Sequence, residues 1–322
     1  MRRHFIRWAL VVPFLAGAGV VGGCKETKAV DKRIGVGRRV AKPRIALIMK
    51  SLANEFFKTM EDGARAHQKK GADRYDLIVN GIKDEQDVDG QIALVEQMIA
   101  QRVDALVLAP ADSKALVPVC RKAMEAGIVV VNIDNKFDEE VLEKEKIRIP
   151  FVGPDNRTGA RLAGEHLARK LKAGDEVAIV EGKPNAFNGE QRKLGFEDAM
   201  KAVGAKIVSS QSANWMTDQA ETVVSGMIIQ HPNLKAVLCA NDNMAIGAIS
   251  ALESAGKLQQ VLVIGYDNIS AIQKLMKEGK VLCTIDQHAD LIAIGGIEYA
   301  LELLGLPSRQ TQVELIAGSQ PQ

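Results

Sequence analysis

The sequence predicts an α/β protein with two doubly wound parallel-sheet lobes. From Arg44 onward, short runs rich in Val, Ile and Leu alternate with helical patterns, which is typical of βα units and of a parallel sheet. There are ten such runs, and one sheet of ten strands would be large, so we expect two lobes of about five strands each. The predicted strands are 44–49, 76–80, 105–109, 129–133, 151–153, 177–181, 206–210, 236–240, 261–266 and 281–285.

The composition is that of an ordinary globular protein. The chain has 322 residues, 47% hydrophobic and 25% charged, which is enough for two compact domains with separate cores. Its net charge is +2, and no basic stripe is interleaved with aromatic residues, so nucleic acid is not an expected partner. The sequence shows no phosphate-cradling glycine loop and no nucleophile elbow. We therefore expect neither a cofactor nor an enzymatic activity.

Residues 1–24 have the pattern of an export signal. Three arginines precede an apolar run, Trp8–Val21, that is too short to span a bilayer comfortably. The run ends at Gly-Gly-Cys, which resembles the bacterial lipoprotein processing box. Cys24 is therefore predicted to carry a lipid anchor, which places the protein in the periplasm or at the outer face of the cell envelope. A plain secretory signal with an incidental Cys24 is the alternative, and the paired arginines leave twin-arginine export open.

Residues 25–42 are predicted to be a flexible tether. They carry seven basic and two acidic side chains, include two glycines and show no apolar period. Such a segment can lie against anionic headgroups without forming part of a core.

The stretch Ala236–Ala248 indicates where a ligand would bind. It combines a buried strand, a polar turn Asn241-Asp242-Asn243 and the start of a helix. In an open parallel sheet, ligands lie beyond the carboxyl ends of the strands, where such turns converge. The alternative is that Asp242 or Asn243 merely caps the helix.

Polar residues that suit hydroxyl groups recur after most of the other predicted strands. Carboxylates and amides pair with adjacent hydroxyls, Arg offers a planar fork, and aromatic faces cover C–H surfaces, so the set suits a polyhydroxylated neutral molecule. The candidate residues are Lys50, Asn54, Phe56, Phe57, Asp134, Asn135, Arg192, Trp215, Asn241, Asp267 and Gln287. Core packing is the alternative for the two phenylalanines.

Several segments resemble the ribose-binding branch of bacterial periplasmic sugar-binding proteins. They are IALIMKSLANEFF (45–57), VVVNIDNK (129–136), EQRKLGF (190–196), HPNLKAVLCANDNMAIGA (231–248), VLVIGYDN (261–268) and CTIDQ (283–287). The resemblance covers residues 44 to the C-terminus. It implies the type I periplasmic binding fold, a three-strand hinge, closure over one sugar and docking on an ABC permease. Nine of the candidate residues match the family's cleft positions: Asn54, Phe56, Phe57, Asp134, Arg192, Trp215, Asn241, Asp267 and Gln287.

The resemblance also implies the domain boundaries and the ligand class. The N-terminal lobe would comprise residues 43–154 plus 288–311, and the C-terminal lobe residues 155–287 plus 312–322. Lys50 and Asn135 depart from the ribose-binding pattern, and Lys50 together with VNIDNK and VEGK (180–183) is similar to the allose-binding relative. We therefore expect an allose- or ribose-like aldose as the ligand and a monomeric protein.

The sequence leaves two other functions open and gives no pattern of a metal site. A sugar sensor that presents its closed form to a membrane receptor remains an alternative, and a carbohydrate-acting enzyme is a weaker one. Asp84, Asp87 and Asp89 lack the spacing of a calcium loop and indicate the acidic start of a helix. The five histidines lack zinc spacing, so no metal is expected. Other residues are assigned structural roles: Asp112 and Ser113 as helix caps, and Cys120, Cys239 and Cys283 as buried free thiols.

Overall fold

The computed structural model describes residues 6–7, 10–11 and 42–307. The described residues do not include Cys24 or most of the predicted signal and tether. They also leave out the ends of both predicted lobes, 308–311 and 312–322. Two two-residue strands of the predicted signal are described, β1 (Ile6–Arg7) and β2 (Leu10–Val11).

The first sheet contains five parallel strands in the order β4-β3-β5-β6-β7, and β2 adds to β7 in the antiparallel direction. These strands are β3 (Arg44–Ser51), β4 (Asp76–Ile82), β5 (Ala105–Leu108), β6 (Val129–Ile133) and β7 (Phe151–Pro154). The helices of this lobe are α1 (Glu55–Lys70), α2 (Val88–Ala100), α3 (Val117–Glu125), α4 (Glu139–Lys144) and α10 (Ala289–Leu303).

The second sheet contains four parallel strands in the order β9-β8-β10-β11. These strands are β8 (Glu176–Glu181), β9 (Lys206–Ser212), β10 (Ala236–Cys239) and β11 (Leu262–Ile264). Its helices are α5 (Asn156–Ala168), α6 (Phe187–Val203), α7 (Thr217–Gln230), α8 (Asp242–Ser254) and α9 (Ser270–Lys277). A last short strand, β12 (Ile285–Asp286), pairs with β1.

Both sheets have the same winding. In each, the second strand along the chain lies outside the first, and the third lies on the first strand's other side. The strand order therefore reverses between β3 and β5 and again between β8 and β10, which is where ligands bind in open α/β sheets. The predicted α/β fold with two doubly wound parallel-sheet lobes is confirmed.

Two predicted strands are shorter than expected. The run 261–266 forms a strand only at Leu262–Ile264, and the run 281–285 contributes an isolated bridge from Cys283 to Ile264 before β12. Asp267 and Asn268 have positive φ angles of 126° and 61°, so the chain turns sharply just beyond β11. An apolar run alone does not reveal where such a turn begins.

The chain crosses between the lobes twice within the described residues. After β7 it enters α5, which packs against α6 and β11 in the second lobe. After Gln287 it enters α10, which packs against α1 and β6 in the first lobe. A third hinge crossing would fall beyond residue 307, outside the described part of the chain.

Helix starts follow from capping side chains. In five helices, the N-cap side chain accepts a hydrogen bond from a backbone N–H of the first turn. These caps are Asn54 of α1, Asp87 of α2, Asp138 of α4, Asp155 of α5 and Asn241 of α8. These bonds satisfy N–H groups that have no partner inside the helix. Asp87 is thus a helix cap, and no cluster of three metal-ligating side chains occurs among the described residues.

The cores consist of strands buried on both faces, as parallel sheets require. Every residue of β5, β6 and β10 is buried. Cys120, Cys239 and Cys283 are buried free thiols. Among the described residues, we find no helix with the length and apolar character needed to cross a bilayer.

Gly195 permits the close packing of α5 on α6. A Cβ at this position would overlap the carbonyl oxygen of Arg157, which is backbone and cannot move aside easily. We expect Gly195→Ala to lower the free energy of unfolding by about 1–3 kcal/mol because the two helices must separate. Urea unfolding followed by circular dichroism measures this loss.

Gly226 provides the matched control, because a Cβ there meets no atom of the described residues within 4 Å. Gly226→Ala in α7 should raise the free energy of unfolding by about 0.5–1 kcal/mol, since alanine is the better helix former. Equal stability of Gly195→Ala and the parent would contradict the close packing of the two helices.

Candidate ligand-binding cleft

The carboxyl ends of the two sheets face each other across a narrow cleft. Nine of the eleven predicted site residues line it, together with two residues that the sequence analysis did not identify. The lining residues are Lys50, Asn54, Phe56, Phe57, Glu85, Asn188, Arg192, Trp215, Asn241, Asp267 and Gln287. The cleft combines charged, amide and aromatic groups from both lobes.

Lys50 is a buried cation on the first-lobe side of the cleft. Its Nζ lies 3.0 Å from Asp134 Oδ2 and 3.4 Å from Glu85 Oε2. Burial lowers the pKa of Lys50, but the carboxylates of Asp134 and Glu85 outweigh burial and raise the pKa above its ordinary value. The lysine therefore stays charged, and its Nζ lies 5.3 Å from the ring centre of Phe57.

Arg192 is the corresponding cation of the second lobe. Its guanidinium donates to Asn156 Oδ1 at 2.8 Å, to the carbonyl of Ala240 at 2.8 Å and to Gln287 Oε1 at 3.0 Å. It also stacks on the ring of Tyr266 at 4.0 Å. These contacts fix the planar fork, which then presents its edge to the cleft in one orientation.

Asp267 lies beside Arg192, with 3.6 Å between Oδ1 and the guanidinium Nη1. Gln287 Nε2 donates to the same carboxylate oxygen at 2.6 Å. Burial raises the pKa of Asp267 well above its usual range, and the positive charge of Arg192 opposes this shift. The carboxylate is thus positioned as an acceptor for donors inside the cleft.

Aromatic rings bound the cleft. Trp215 is 5% exposed, and its ring lies 5.5 Å from the Arg192 guanidinium carbon. Gly182 and Gly189 make room for this ring, because a Cβ at either position would press against it. Phe56 and Phe57 contact each other edge to face, with ring centres 5.1 Å apart. These flat surfaces can cover the apolar faces of a ring-shaped ligand.

Backbone strain is concentrated in the loops of the cleft. Asp134, Trp215 and Asp267 have positive φ angles of 62°, 69° and 126°, which are costly for residues other than glycine. Each of them lies in a loop that follows a strand. Strain of this kind is common where a binding site holds side chains in fixed positions.

Asn241, a predicted ligand-binding residue, is also the cap of α8, whereas Asp242 and Asn243 were the predicted capping candidates. Asn241 lines the cleft, and its Oδ1 accepts from the N–H of Met244 at 2.8 Å as the cap of α8. Asp242 is fully buried behind it and accepts from Thr284 Oγ1 at 2.7 Å and from the N–H of Ile269 at 2.9 Å. Asp242 therefore supports the loop that carries Asp267.

Asp134 and Asn135, predicted as ligand-binding residues, are not among the lining residues named above but contact two of them, Lys50 and Asn188, and ligand binding by this pair stays a prediction. Asp134 pairs with Lys50. Asn135 is fully buried, its Nδ2 donates to the carbonyl of Pro110, and its Oδ1 accepts from the N–H of Asn188 in the other lobe. The side chain of Asn135 is engaged with the protein, whereas Asp134 Oδ2 is buried and, apart from its ion pair with Lys50, has no hydrogen-bond partner among the described residues.

Hydrogen bonds across the cleft hold the two lobes together. Ser113, predicted as a helix cap, caps a helix of the second lobe, because its Oγ accepts from the N–H of Phe187 at the start of α6 at 3.0 Å. Lys183 Nζ donates to the carbonyls of Glu85 at 3.0 Å and Ala111 at 3.3 Å. The described arrangement is therefore a closed one. Asp112, also predicted as a helix cap, accepts from the N–H groups of Lys114 and Ala115 in the turn before α3, whose own N-cap residue Leu116 provides no side-chain bond.

Glu85 and Asn188 are the lining residues that sequence reasoning missed. Glu85 follows β4. Polar residues after the other strands were predicted to line the site, and the same rule applied to β4 identifies Glu85. Asn188 lies four residues before Arg192 on α6, and residues at this spacing share one helix face.

Comparisons with known proteins agree with this geometry. Residues 45–306 match the periplasmic binding protein domain. The chain belongs to the periplasmic binding protein family. Membership implies a periplasmic location, as expected from the sequence.

Relatives of this periplasmic binding protein carry names that refer to sugars. The chain is 62% identical over 263 residues to the D-ribose/D-allose-binding protein of Pseudomonas aeruginosa, covering 82% of each chain. It is 35% identical over 254 residues to the D-allose-binding periplasmic protein of Escherichia coli, covering 78% of this chain and 81% of that protein.

Solved structures of the same family superimpose closely. A solute-binding protein of an ABC transporter from Burkholderia multivorans is 59% identical with a TM-score of 0.82, covering 83% of this chain and 94% of that one. A homologous protein from Actinobacillus succinogenes with bound D-allose is 41% identical with a TM-score of 0.78, with the same coverage. The expectation that the chain is a binding protein and not an enzyme is confirmed by these relatives.

Asp242 makes the stability of this periplasmic binding protein depend on pH. Burial raises the pKa of Asp242 to about 7, although its hydrogen bonds oppose the shift. Between about pH 4 and 7 the folded protein holds a proton that the unfolded chain has released, so this residue's contribution to stability falls as the pH rises. Asp242→Asn cannot ionise and lacks this dependence.

We therefore expect the free energy of unfolding of Asp242→Asn, relative to the parent, to increase by about 1–3 kcal/mol between pH 5 and pH 8. Urea unfolding of both proteins at the two pH values measures the difference. A difference that stays constant would mean that Asp242 is ionised throughout this range.

Proposed function

We propose that the protein is the sugar-binding lipoprotein of an ABC importer and that it binds an allose- or ribose-like aldose in the cleft. The proposal rests on two buried cations in opposite lobes, Lys50 and Arg192. Each lies beside a carboxylate acceptor, Asp134 or Asp267. Such donors and acceptors suit the adjacent hydroxyls of one sugar ring. The aromatic rings between them suit its C–H faces.

The relatives support this ligand class. The relative from Pseudomonas aeruginosa is named for D-ribose and D-allose, and the relative from Escherichia coli is named for D-allose. The solved structure from Actinobacillus succinogenes holds D-allose. Lys50 and Asn135, which depart from the ribose-binding pattern, favour the allose-like ligand. Unpaired buried polar groups are costly, so one changed hydroxyl partner alters the preference strongly.

The proposed mechanism is closure of the two lobes on the ligand. A sugar that contacts both lobes binds more tightly to the closed form and shifts the population towards it. The contacts across the cleft are hydrogen bonds between neutral groups, from Lys183 to carbonyls and from Ser270 to the Glu55 carboxylate, and each contributes only about 1–3 kcal/mol. The lobes can therefore reopen and release the sugar to the permease.

The lipid anchor is the second part of the proposal. The Gly-Gly-Cys sequence at Cys24 and the basic tether behind it support a protein held at the membrane surface near the permease. We propose that the mature protein acts as a monomer.

Titration with sugars tests ligand binding. Trp8 would leave with the signal, so Trp215 would be the only tryptophan of the mature protein and its fluorescence should report sugar binding. We expect a saturable response to D-allose or D-ribose, with a rise in melting temperature, because ligand at about a thousand times its dissociation constant adds about 4 kcal/mol. No response to any aldose in the panel would contradict the proposal.

Variants of the cleft test the site. Arg192→Ala and Asp267→Ala should each weaken sugar binding at least about 100-fold, since each leaves buried polar groups without partners. Arg157→Ala is the matched control, because Arg157 is half exposed, pairs with Asp198 in the same lobe and does not line the cleft. Calorimetric titration gives the affinities. A cleft variant that binds like the parent would rule out that residue as a ligand contact.

Metabolic labelling tests the anchor. Cells that express the full chain in the presence of labelled palmitate should incorporate the label into the parent but not into Cys24→Ala. Cys120→Ala, which changes a buried thiol of the fold, serves as the control and should remain labelled. Labelling of Cys24→Ala would contradict the assignment of the lipid to Cys24.

A further inference from the structure

The N-terminus of helix α6 is capped by the opposite lobe. The residue at its N-cap position is Ala186, which offers no side-chain acceptor. The N–H of Phe187 instead donates to Ser113 Oγ at 3.0 Å, and the N–H of Asn188 donates to Asn135 Oδ1 at 3.1 Å. Both acceptors lie in first-lobe loops, so these caps form only when the lobes are together.

Asn188 also carries a polar atom without a partner. Its side chain is 2% exposed and lines the cleft, and its Oδ1 has no hydrogen-bond partner among the described residues. A buried acceptor that is left unsatisfied costs about 1–3 kcal/mol, so most such atoms in proteins have a partner. Asn188 is thus the lining residue with a fully buried acceptor that the protein itself does not use, and Asp134 Oδ2, beside Lys50, is a second such atom next to the cleft.

The position of Asn188 on α6 brings this acceptor close to the rest of the site. Asn188 and Arg192 are separated by one helical turn, so both side chains project from one face. Arg192 is a donor of the cleft, whereas the Oδ1 of Asn188 is an acceptor. A ligand group between them would have to donate to Asn188, which a hydroxyl can do and a carbonyl or ether oxygen cannot.

We propose that Asn188 is a specificity-determining residue whose Oδ1 accepts a hydrogen bond from one hydroxyl group of the bound sugar. This inference rests on the proposed function. The backbone N–H of the same residue caps α6 against Asn135, so one residue both contacts the sugar and joins the lobes. Recognition of that hydroxyl is thereby coupled to closure, and a sugar that lacks the hydroxyl leaves the acceptor buried and unpaired.

The experiment combines a variant with altered ligands. The affinity of the parent and of Asn188→Ala is measured by calorimetry for D-allose, D-ribose and the monodeoxy analogues of whichever sugar the parent binds more tightly. We expect Asn188→Ala to bind the complete sugar about 10- to 100-fold more weakly than the parent. For one monodeoxy analogue, the one that lacks the hydroxyl contacted by Asn188, the two proteins should bind about equally.

Two controls keep the outcome interpretable. Glu190→Ala truncates an exposed side chain in the same turn of α6 and should bind every ligand like the parent. Asn188→Leu has a similar volume and no hydrogen-bond acceptor, and it replaces Asn188→Ala in the comparison if the alanine variant does not melt cooperatively. Both Asn188 variants retain the backbone N–H that Asn135 accepts.

The remaining outcomes contradict the inference in distinct ways. Unchanged affinity of the Asn188 variants for the complete sugar would show that the side chain makes no ligand contact. An equal loss for the sugar and for all of its monodeoxy analogues would show that Asn188 acts on closure and not through a hydroxyl. A parent that binds no sugar would overturn the proposed function and this inference with it.

Discussion

The structure depends on keeping two buried cations satisfied. Lys50 and Arg192 are each 3% exposed, and an unpaired charge at such depth would cost several kcal/mol. Their partners come from many segments of the chain: Lys50 takes two carboxylates from first-lobe loops, and Arg192 takes groups from the starts of α5 and α10 and from the end of β10. The same contacts that satisfy the charges hold the loops of the cleft in place.

This requirement explains why the lining is rigid while the lobes remain separable. Within each lobe, the polar groups are fixed by charged hydrogen bonds and by stacking, so little order has to be gained when a ligand binds. Across the lobes, neutral pairs such as the Ser113 and Asn135 caps of α6 are combined with hydrogen bonds from Lys183 to carbonyls and from Ser270 to the Glu55 carboxylate. A ligand that touches both sides is therefore the natural source of the additional free energy that favours closure.

Much of this architecture could be predicted from the sequence because it depends on local patterns. Apolar runs marked the strands of both sheets, and the Asn241 turn marked one sheet edge. Which side chains face the cleft depends instead on loop geometry and on neighbours distant in the chain. Asp134 follows β6 as predicted, yet it pairs with Lys50 from β3. Glu85 completes that group from β4, and no sequence pattern links the three residues.

We expect a sugar ring to lie between the aromatic faces of Phe57 and Trp215, with its hydroxyls near Arg192 and Asp267. A crystal structure of the mature protein grown with D-allose tests this claim most directly. We expect the sugar in the cleft, with hydroxyl oxygens at about 3 Å from the guanidinium and the carboxylate. A structure with the sugar bound elsewhere, or a cleft without sugar at a concentration that saturates binding in solution, would contradict the account.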